Sequence, residues 1–171
     1  EITYTVSAGK LSVHIHAKKP EHADVDYLPR FALMLELKKG FENLRYAAMG
    51  PDSCYIDFRN HAYFDVFEST VTQQLEHMIR PQECGNHYNA DFVTVSNGKT
   101  SITASGKGFE FSALHFSPEM LEATGHDFEL VPSKSTFLLL DYKVGGIGSH
   151  SCGPRLPEQY RFKDDEFEFD I

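Results

Sequence analysis

The chain has 171 residues, which suits one domain or a large piece of a bigger one. Hydrophobic residues make up 41% and charged residues 24%, so a packed core is feasible and wholesale disorder is not expected. Sixteen Lys and Arg against 25 Asp and Glu give a net charge of −9 at pH 7, a poor endowment for neutralising nucleic-acid phosphates or for sitting on an anionic membrane.

The chain opens without Met on a strand-like segment, Glu1-Ile2-Thr3-Tyr4-Thr5-Val6, as an excised domain would, and without the basic start and apolar stretch of a signal peptide. The dominant hydrophobic period is two. In residues 10–16, Leu11, Val13 and Ile15 point to one face, and Ser12, His14 and His16 to the other, the signature of a half-buried strand. The polar stretch 20–29 reads as a loop. Residues 31–37 form a mostly apolar strand closed by Lys38-Lys39-Gly40, and residues 44–49 form another, ending at Gly50-Pro51. Residues 65–76 mix Thr and Val and read ambiguously. A hairpin follows: residues 91–96 run into Asn97-Gly98, which predicts a type I′ turn, and residues 99–104 return.

Residues 109–115, 135–142 and 166–171 predict further strands, and the run Phe137-Leu138-Leu139-Leu140, far short of a membrane span, reads as a buried strand. In the last strand Phe167, Phe169 and Ile171 alternate with Glu168 and Asp170, whose like charges discourage edge-to-edge pairing. One helix is signalled by Ser117-Pro118-Glu119, an N-cap, a proline at the first helical position and an acid in the first turn, with Gly125 as its stop. Many short strands with Gly, Pro and Asn turns point to an all-β antiparallel sandwich with one short helix.

The candidate chemistry is sparse. His14 and His16 share a strand face, and His115 or His61 on a partner strand is the candidate third metal ligand, but the commoner use of such histidines is structural and no metal site is assigned. Cys54, Cys84 and Cys152 are odd in number with no CxxC pair, which reads as reduced thiols in a cytoplasmic protein. Cys84 with His87, or Cys152 with His150, would need an activated thiolate to act as a nucleophile, and neither pair sits in a hydrolase signature. Carboxylate spacing nominates no glycosidase pair.

Two stretches say more. Lys143-Val144-Gly145-Gly146-Ile147-Gly148-Ser149-His150-Ser151-Cys152-Gly153-Pro154 follows a buried strand and is neither a dinucleotide fingerprint nor a P-loop. Its small side chains permit close approach to a ligand or a second domain, or serve a tight turn. Met78-Ile79-Arg80-Pro81-Gln82-Glu83-Cys84-Gly85-Asn86-His87 carries the amide, carboxylate and guanidinium groups that a polyol or an interdomain contact asks for. Arg80, Gln82, Glu83 and Asn86 are its candidate polar contacts.

These stretches, with Tyr46-Ala47-Ala48-Met49-Gly50-Pro51-Asp52-Ser53-Cys54-Tyr55, Leu114-His115-Phe116-Ser117-Pro118-Glu119-Met120-Leu121-Glu122-Ala123, and Tyr160-Arg161-Phe162, resemble in order and spacing the C-terminal part of the small-chain region, the fifth domain, of glycoside hydrolase family 2 β-galactosidases. Ser53, Cys84 and His87 depart from that family's usual residues. The resemblance implies a large antiparallel sandwich (a supersandwich, similar to that of galactose mutarotases), of which residues 1–171 would be a single-domain C-terminal portion. It implies hydrolysis of terminal β-D-galactosides such as lactose with retention, by catalytic glutamates in a barrel domain that no segment here matches.

By the same resemblance, the segment Ser149, His150, Ser151, Cys152 and Gly153 walls the sugar pocket. Cys152 stands where one branch of the family has Trp and another commonly has Cys, which predicts weaker aglycone stacking than in the Trp branch. No cofactor is expected in this chain; any Mg2+ or Na+ of the full enzyme would lie in other domains. The implied partners are the remaining domains or large chain, the galactoside, and other subunits of an oligomer. The rival expectations are a stand-alone mutarotase-like carbohydrate-binding module and a purely structural assembly domain.

Overall fold

The computed structural model describes residues 1–148 and 154–171. Among the described residues, nine strands and one α-helix follow in chain order: β1 (Ile2–Ser7), β2 (Lys10–Lys18), β3 (Arg30–Leu37), β4 (Asn43–Gly50), β5 (Tyr63–Thr70), β6 (His87–Ser96), β7 (Ser101–Leu114), α1 (Pro118–Ala123), β8 (Thr136–Val144) and β9 (Glu166–Asp170). They make two antiparallel sheets, one of six strands in the order β3-β8-β7-β6-β4-β5 and one of three in the order β1-β2-β9. The antiparallel β-sandwich expected from the period-two pattern is the observed architecture.

One hydrophobic cluster joins the two sheets. Val13, Ile15 and Phe169 of the small sheet meet Leu44, Tyr46, Val93, Val95, Phe109, Phe111, Leu138 and Leu140 of the large one. Removing these apolar faces from water is what holds one sheet against the other. A ring cluster reinforces the contact at one end: Phe167 of β9 stacks on Tyr142 with centroids 4.2 Å apart, meets Phe31 edge-on at 5.0 Å, and lies 5.5 Å from Phe162. The outer acids of β9 are not idle. Asp170 bonds His14 and Glu166 bonds His16 on neighbouring β2, each at 2.8 Å. Leu11 shares the inward face of Val13 and Ile15 but stays exposed, because it lies in an open groove of about 750 Å³ between the sheets, with Leu33, Leu35, Ile102 and Ile171.

Two local expectations need correction. Asn97 is not in the left-handed region, so the β6–β7 turn is not type I′; Gly98, at φ +80°, and Lys99 form its centre instead. The Asn97 side-chain oxygen accepts from the N–H groups of Lys99 and Thr100 at 3.0 and 2.8 Å, a local bond that holds Asn97 in the flank. Moving the turn by one residue moves the pairing by two, so every side chain keeps its face and Val95 pairs with Ile102. The segments 99–104 and 109–115 also belong to one long strand, β7, whose pairing with β6 shifts register between Ala90 and Phe92 and so continues past two glycines. The ambiguous stretch 65–76 resolves as the end of β5 and a 3-10 turn, Thr72–Gln74.

The helix forms as its caps dictate. Ser117 accepts the N–H of Met120 and Pro118 opens the first turn, but the helix stops at Ala123, ahead of Gly125. Its Leu121 packs on Cys84, Leu114 and Phe116 in a second cluster.

Phe167 joins three rings and is 8% exposed. Phe167→Ala is expected to cost about 3–5 kcal/mol, read as a lowered denaturation midpoint, with the loss concentrated in hydrogen-exchange protection of the small sheet.

Candidate functional site

The segments that stand out in the sequence converge on one place, the end of β8. On adjacent strands β7 and β8, Glu110 and Asp141 are directly paired across the sheet, and both are buried. Like charges in that relation repel. Arg30, at the start of β3, answers them from the other side of β8. Its Nε and Nη2 donate to the two oxygens of Asp141 at 2.9 and 2.7 Å, and its Nη1 donates to Glu83 at 2.8 Å. Tyr55 donates its hydroxyl to the other Glu83 oxygen at 3.3 Å. Asn86 donates through Nδ2 to Glu110 at 2.8 Å and to the Cys54 carbonyl at 2.9 Å.

One guanidinium therefore bonds two of the three carboxylates, Asn86 bonds the third, and burial raises all three. Burial pushes Glu110 up to about 7 against the opposing N–H donors of Asn86 and Val144, with the charge of Asp141 adding to the rise. Burial likewise pushes Asp141 up to about 6, against the pull of Arg30. Glu83 is also raised, burial outweighing Arg30 and the Tyr55 hydroxyl. Burial works against the Arg30 cation, but the bonds and charges of Asp141 and Glu83 outweigh it and keep it protonated.

This network holds the root of the glycine-rich stretch. Five consecutive backbone N–H groups are each tied to another part of the chain: Val144 to Glu110 at 3.1 Å, Gly145 to the Pro29 carbonyl at 2.7 Å, Gly146 to the Tyr160 carbonyl at 3.4 Å, and Ile147 and Gly148 to the Asp57 carboxylate at 3.1 and 2.9 Å. Gly146 is required by space: a Cβ there would stand 2.6 Å from Asp57 Cγ and 2.7 Å from Leu156 Cδ1. The segment Ser149, His150, Ser151, Cys152 and Gly153, expected at the sugar, lies outside the described residues, as does the pairing of Cys152 with His150.

The four candidate polar contacts separate. Glu83 and Asn86 belong to the buried network, whereas Arg80 and Gln82 are exposed, and Gln82 bonds only the Arg80 carbonyl, at 3.4 Å, among the described contacts. Cys84 is buried and its thiol is pushed up to about 11 by burial, the opposite of an activated nucleophile. His87 is buried between Tyr46 and Phe111, pushed down to about 4 by burial, and its ring nitrogens meet the Met49 carbonyl at 3.1 Å and Gln74 at 2.6 Å. The candidate metal histidines are scattered: His14 and His16 pair with β9 acids, His61 meets the Ser53 carbonyl, and His115 bonds Glu42 at 2.6 Å.

Sequence reading missed Arg30, Asp57, Glu110 and Asp141 as members of the site. The available signal was an acid embedded in an apolar strand, Glu110 between Phe109 and Phe111 and Asp141 after three leucines, because a charge is buried only where something pairs with it.

Fold and site together define an antiparallel β-sandwich whose buried charges fix the base of a glycine-rich segment. Over residues 1–171 the sequence matches the family described as Beta galactosidase small chain, and the chain belongs to that family. It is 45% identical over 144 residues to a beta-galactosidase of Staphylococcus xylosus, a match covering 84% of this chain and 14% of that protein. It is 33% identical over 174 residues to one of Actinobacillus pleuropneumoniae, covering 100% of this chain and 17% of that protein, and 31% identical over 164 residues to one of Streptococcus thermophilus, covering 94% and 16%. The chain thus spans about a sixth of the length of the curated relatives it matches.

The two raised carboxyls give stability a definite pH slope. The unfolded chain loses these protons near the ordinary values of 3.8 and 4.5, while the folded chain keeps them to about 6 and 7. Their contribution is present below about pH 4, falls as pH rises through that window, and levels off above it. Glu110→Gln, which resembles the neutral acid, is expected to flatten the slope of the urea midpoint between about pH 4.5 and 7.

Proposed function

We propose that this chain is the C-terminal β-sandwich portion of a β-galactosidase that hydrolyses terminal β-D-galactosides such as lactose, a member of glycoside hydrolase family 2. Its task is to complete the wall of the active site through residues 149–153, while the catalytic glutamates stand in a barrel domain elsewhere in the enzyme. The observation that carries this reading is the convergence of the distinctive segments on the root of the glycine-rich stretch: Cys54 and Tyr55, Glu83 and Asn86, and Asp141 to Gly148 are joined by one set of hydrogen bonds immediately before residue 149.

The same reading treats residues 1–171 as one unit that meets the rest of the enzyme through its exposed apolar strands. Ile2, Tyr4 and Val6 on β1, and Tyr63, Phe64 and Val66 on β5, support such a contact, each being large, apolar and at least 46% exposed. Oligomerisation of the full enzyme uses surfaces of this kind. Any Mg2+ or Na+ of the enzyme belongs to other domains. We place the enzyme in the cytoplasm, with the buried free thiols of Cys54 and Cys84 as support.

The test is a chromogenic-galactoside assay on the chain alone and after mixing with the remaining N-terminal part of its enzyme. Activity is expected only on mixing; activity from the pure chain would place a catalytic pair within it. In the intact enzyme, Cys152→Trp is expected to tighten binding of lactose and of glucose as acceptor by roughly 3–10-fold, the scale of one aromatic contact. Unchanged affinity for both would remove residues 149–153 from the aglycone wall.

A further inference from the structure

A separate cleft of about 360 Å³ lies at the opposite end of β8 from the glycine-rich stretch. Three pieces of chain wall it: the 3-10 turn after β5 with the residues that follow it, the end of β7, and the segment 127–133 that leads into β8. Two backbone bonds fix the last piece to the others. Asp127 donates its N–H to the Ile79 carbonyl at 3.3 Å, and Ser133 donates its N–H to the His115 carbonyl at 2.9 Å. The floor is apolar. Val71 and Phe116 are buried, Leu75 and Leu130 are half-buried, and all but Val71 belong to the hydrophobic cluster around Leu121. The cleft is thus built into packed structure.

Its polar lining is sparse and definite. His115 has nothing to offer: Nδ1 meets the Ser135 carbonyl at 3.0 Å and Nε2 meets Glu42 at 2.6 Å. His77 differs. Its Nδ1 donates to both oxygens of Asp127, at 2.9 and 3.0 Å, and its Nε2 has no partner among the described contacts. Ser133 Oγ accepts the N–H of Ser135 at 3.0 Å, which leaves the hydroxyl proton to give. This chemistry narrows the class of ligand. No Lys or Arg lines the cleft, so an anion finds no counter-charge. No cluster of three metal-ligating side chains occurs among the described residues. A wholly apolar molecule would cover Ser133 and Asp127 without answering them. The volume stands near the lower end of the ~300–1,000 Å³ of small-molecule sites, which suits one ring better than a chain of them. One neutral ring with a C–H face and several hydroxyls meets all of these conditions.

We propose that this cleft binds a single neutral monosaccharide. Ser133 donates to one sugar hydroxyl, His77 Nε2 and the Asp127 carboxylate accept from others, and Phe116 and Leu130 take the C–H face of the ring. The site uses nothing from residues 149–153 and stands or falls apart from their role.

The test is a diethyl pyrocarbonate footprint of the full-length protein, read by mass spectrometry at single histidines. The additives are galactose, glucose, cyclohexanol or inorganic phosphate. The reagent attacks an unprotonated ring nitrogen, and the His77 side chain is 72% exposed. Galactose or glucose is expected to slow modification of His77 by roughly 10-fold once the sugar stands at about ten times its Kd. His22, exposed in the 20–29 loop, should keep its rate, and cyclohexanol and phosphate should protect neither histidine. Ser133→Ala is expected to raise the Kd read from the protection curve by roughly 5-fold, the scale of one hydrogen bond. Leu130→Trp, which fills the floor, should abolish protection while His77 stays reactive.

Absence of protection by both sugars overturns the proposal, and so does protection that survives Leu130→Trp, which would mark an effect transmitted from elsewhere. Equal protection by cyclohexanol or phosphate overturns the sugar class. A His77 that resists the reagent before any addition means that another part of the protein or a second copy covers the cleft, by way of the exposed Ile79, Phe128 and Val131, and overturns it too. Where Leu130→Trp fails to fold, Ser133→Ala decides the question by itself.

Discussion

A single guanidinium organises the polar interior of this sandwich. Arg30 reaches past β8 to grip Asp141 with two bonds and Glu83 with a third, and so permits two carboxylates to face each other across neighbouring strands. Without that cation the pair would have no positive partner in strands where Phe109, Phe111 and Leu140 flank it. Such a pair is no cheap source of stability, since removing charges from water costs several kcal/mol per ion. Its value lies in geometry: the bonds have direction, and apolar packing does not.

That direction is spent on one short piece of backbone. Four separate parts of the chain (β7, the approach to β3, the segment around Tyr160 and the loop after β4) send acceptors to residues 144–148. A strand end would ordinarily fray into water. Here the ladder stops and a set of individual bonds takes over, with Gly146 letting Asp57 and Leu156 close in from the side. The hydrophobic cluster between the sheets supplies stability, and the charged network supplies placement.

Much of the fold was legible because burial alternates along the strands. Val13 and Ile15, Phe167 and Phe169, and Leu138 and Leu140 of β8 all face inward as their spacing requires, and Ser117 caps its helix as expected. The site was only half legible. Glu83 and Asn86 lie in a segment dense with polar side chains and drew notice on that account. Arg30 sits at a loop–strand boundary and Asp57 in an irregular loop, where no periodicity marks a side chain as inward-facing. Their partners are 111 and 90 residues away, and separations of that kind exist only after the sheets have assembled. The Asn-Gly turn failed for a local reason: the Asn97 side chain found two backbone donors, and that bond set the turn one residue later.

The facing pair Glu110 and Asp141 has a thermal consequence as well as a structural one. Each carboxyl holds its proton in the folded chain at pH values where the unfolded chain has released it. Near pH 6, assembly of the sheet is therefore also a protonation reaction that draws hydrogen ions from solution. The heat of folding then includes the ionisation heat of the surrounding buffer, and the enthalpy of this sandwich is a joint property of the chain and of the acid that supplies its protons.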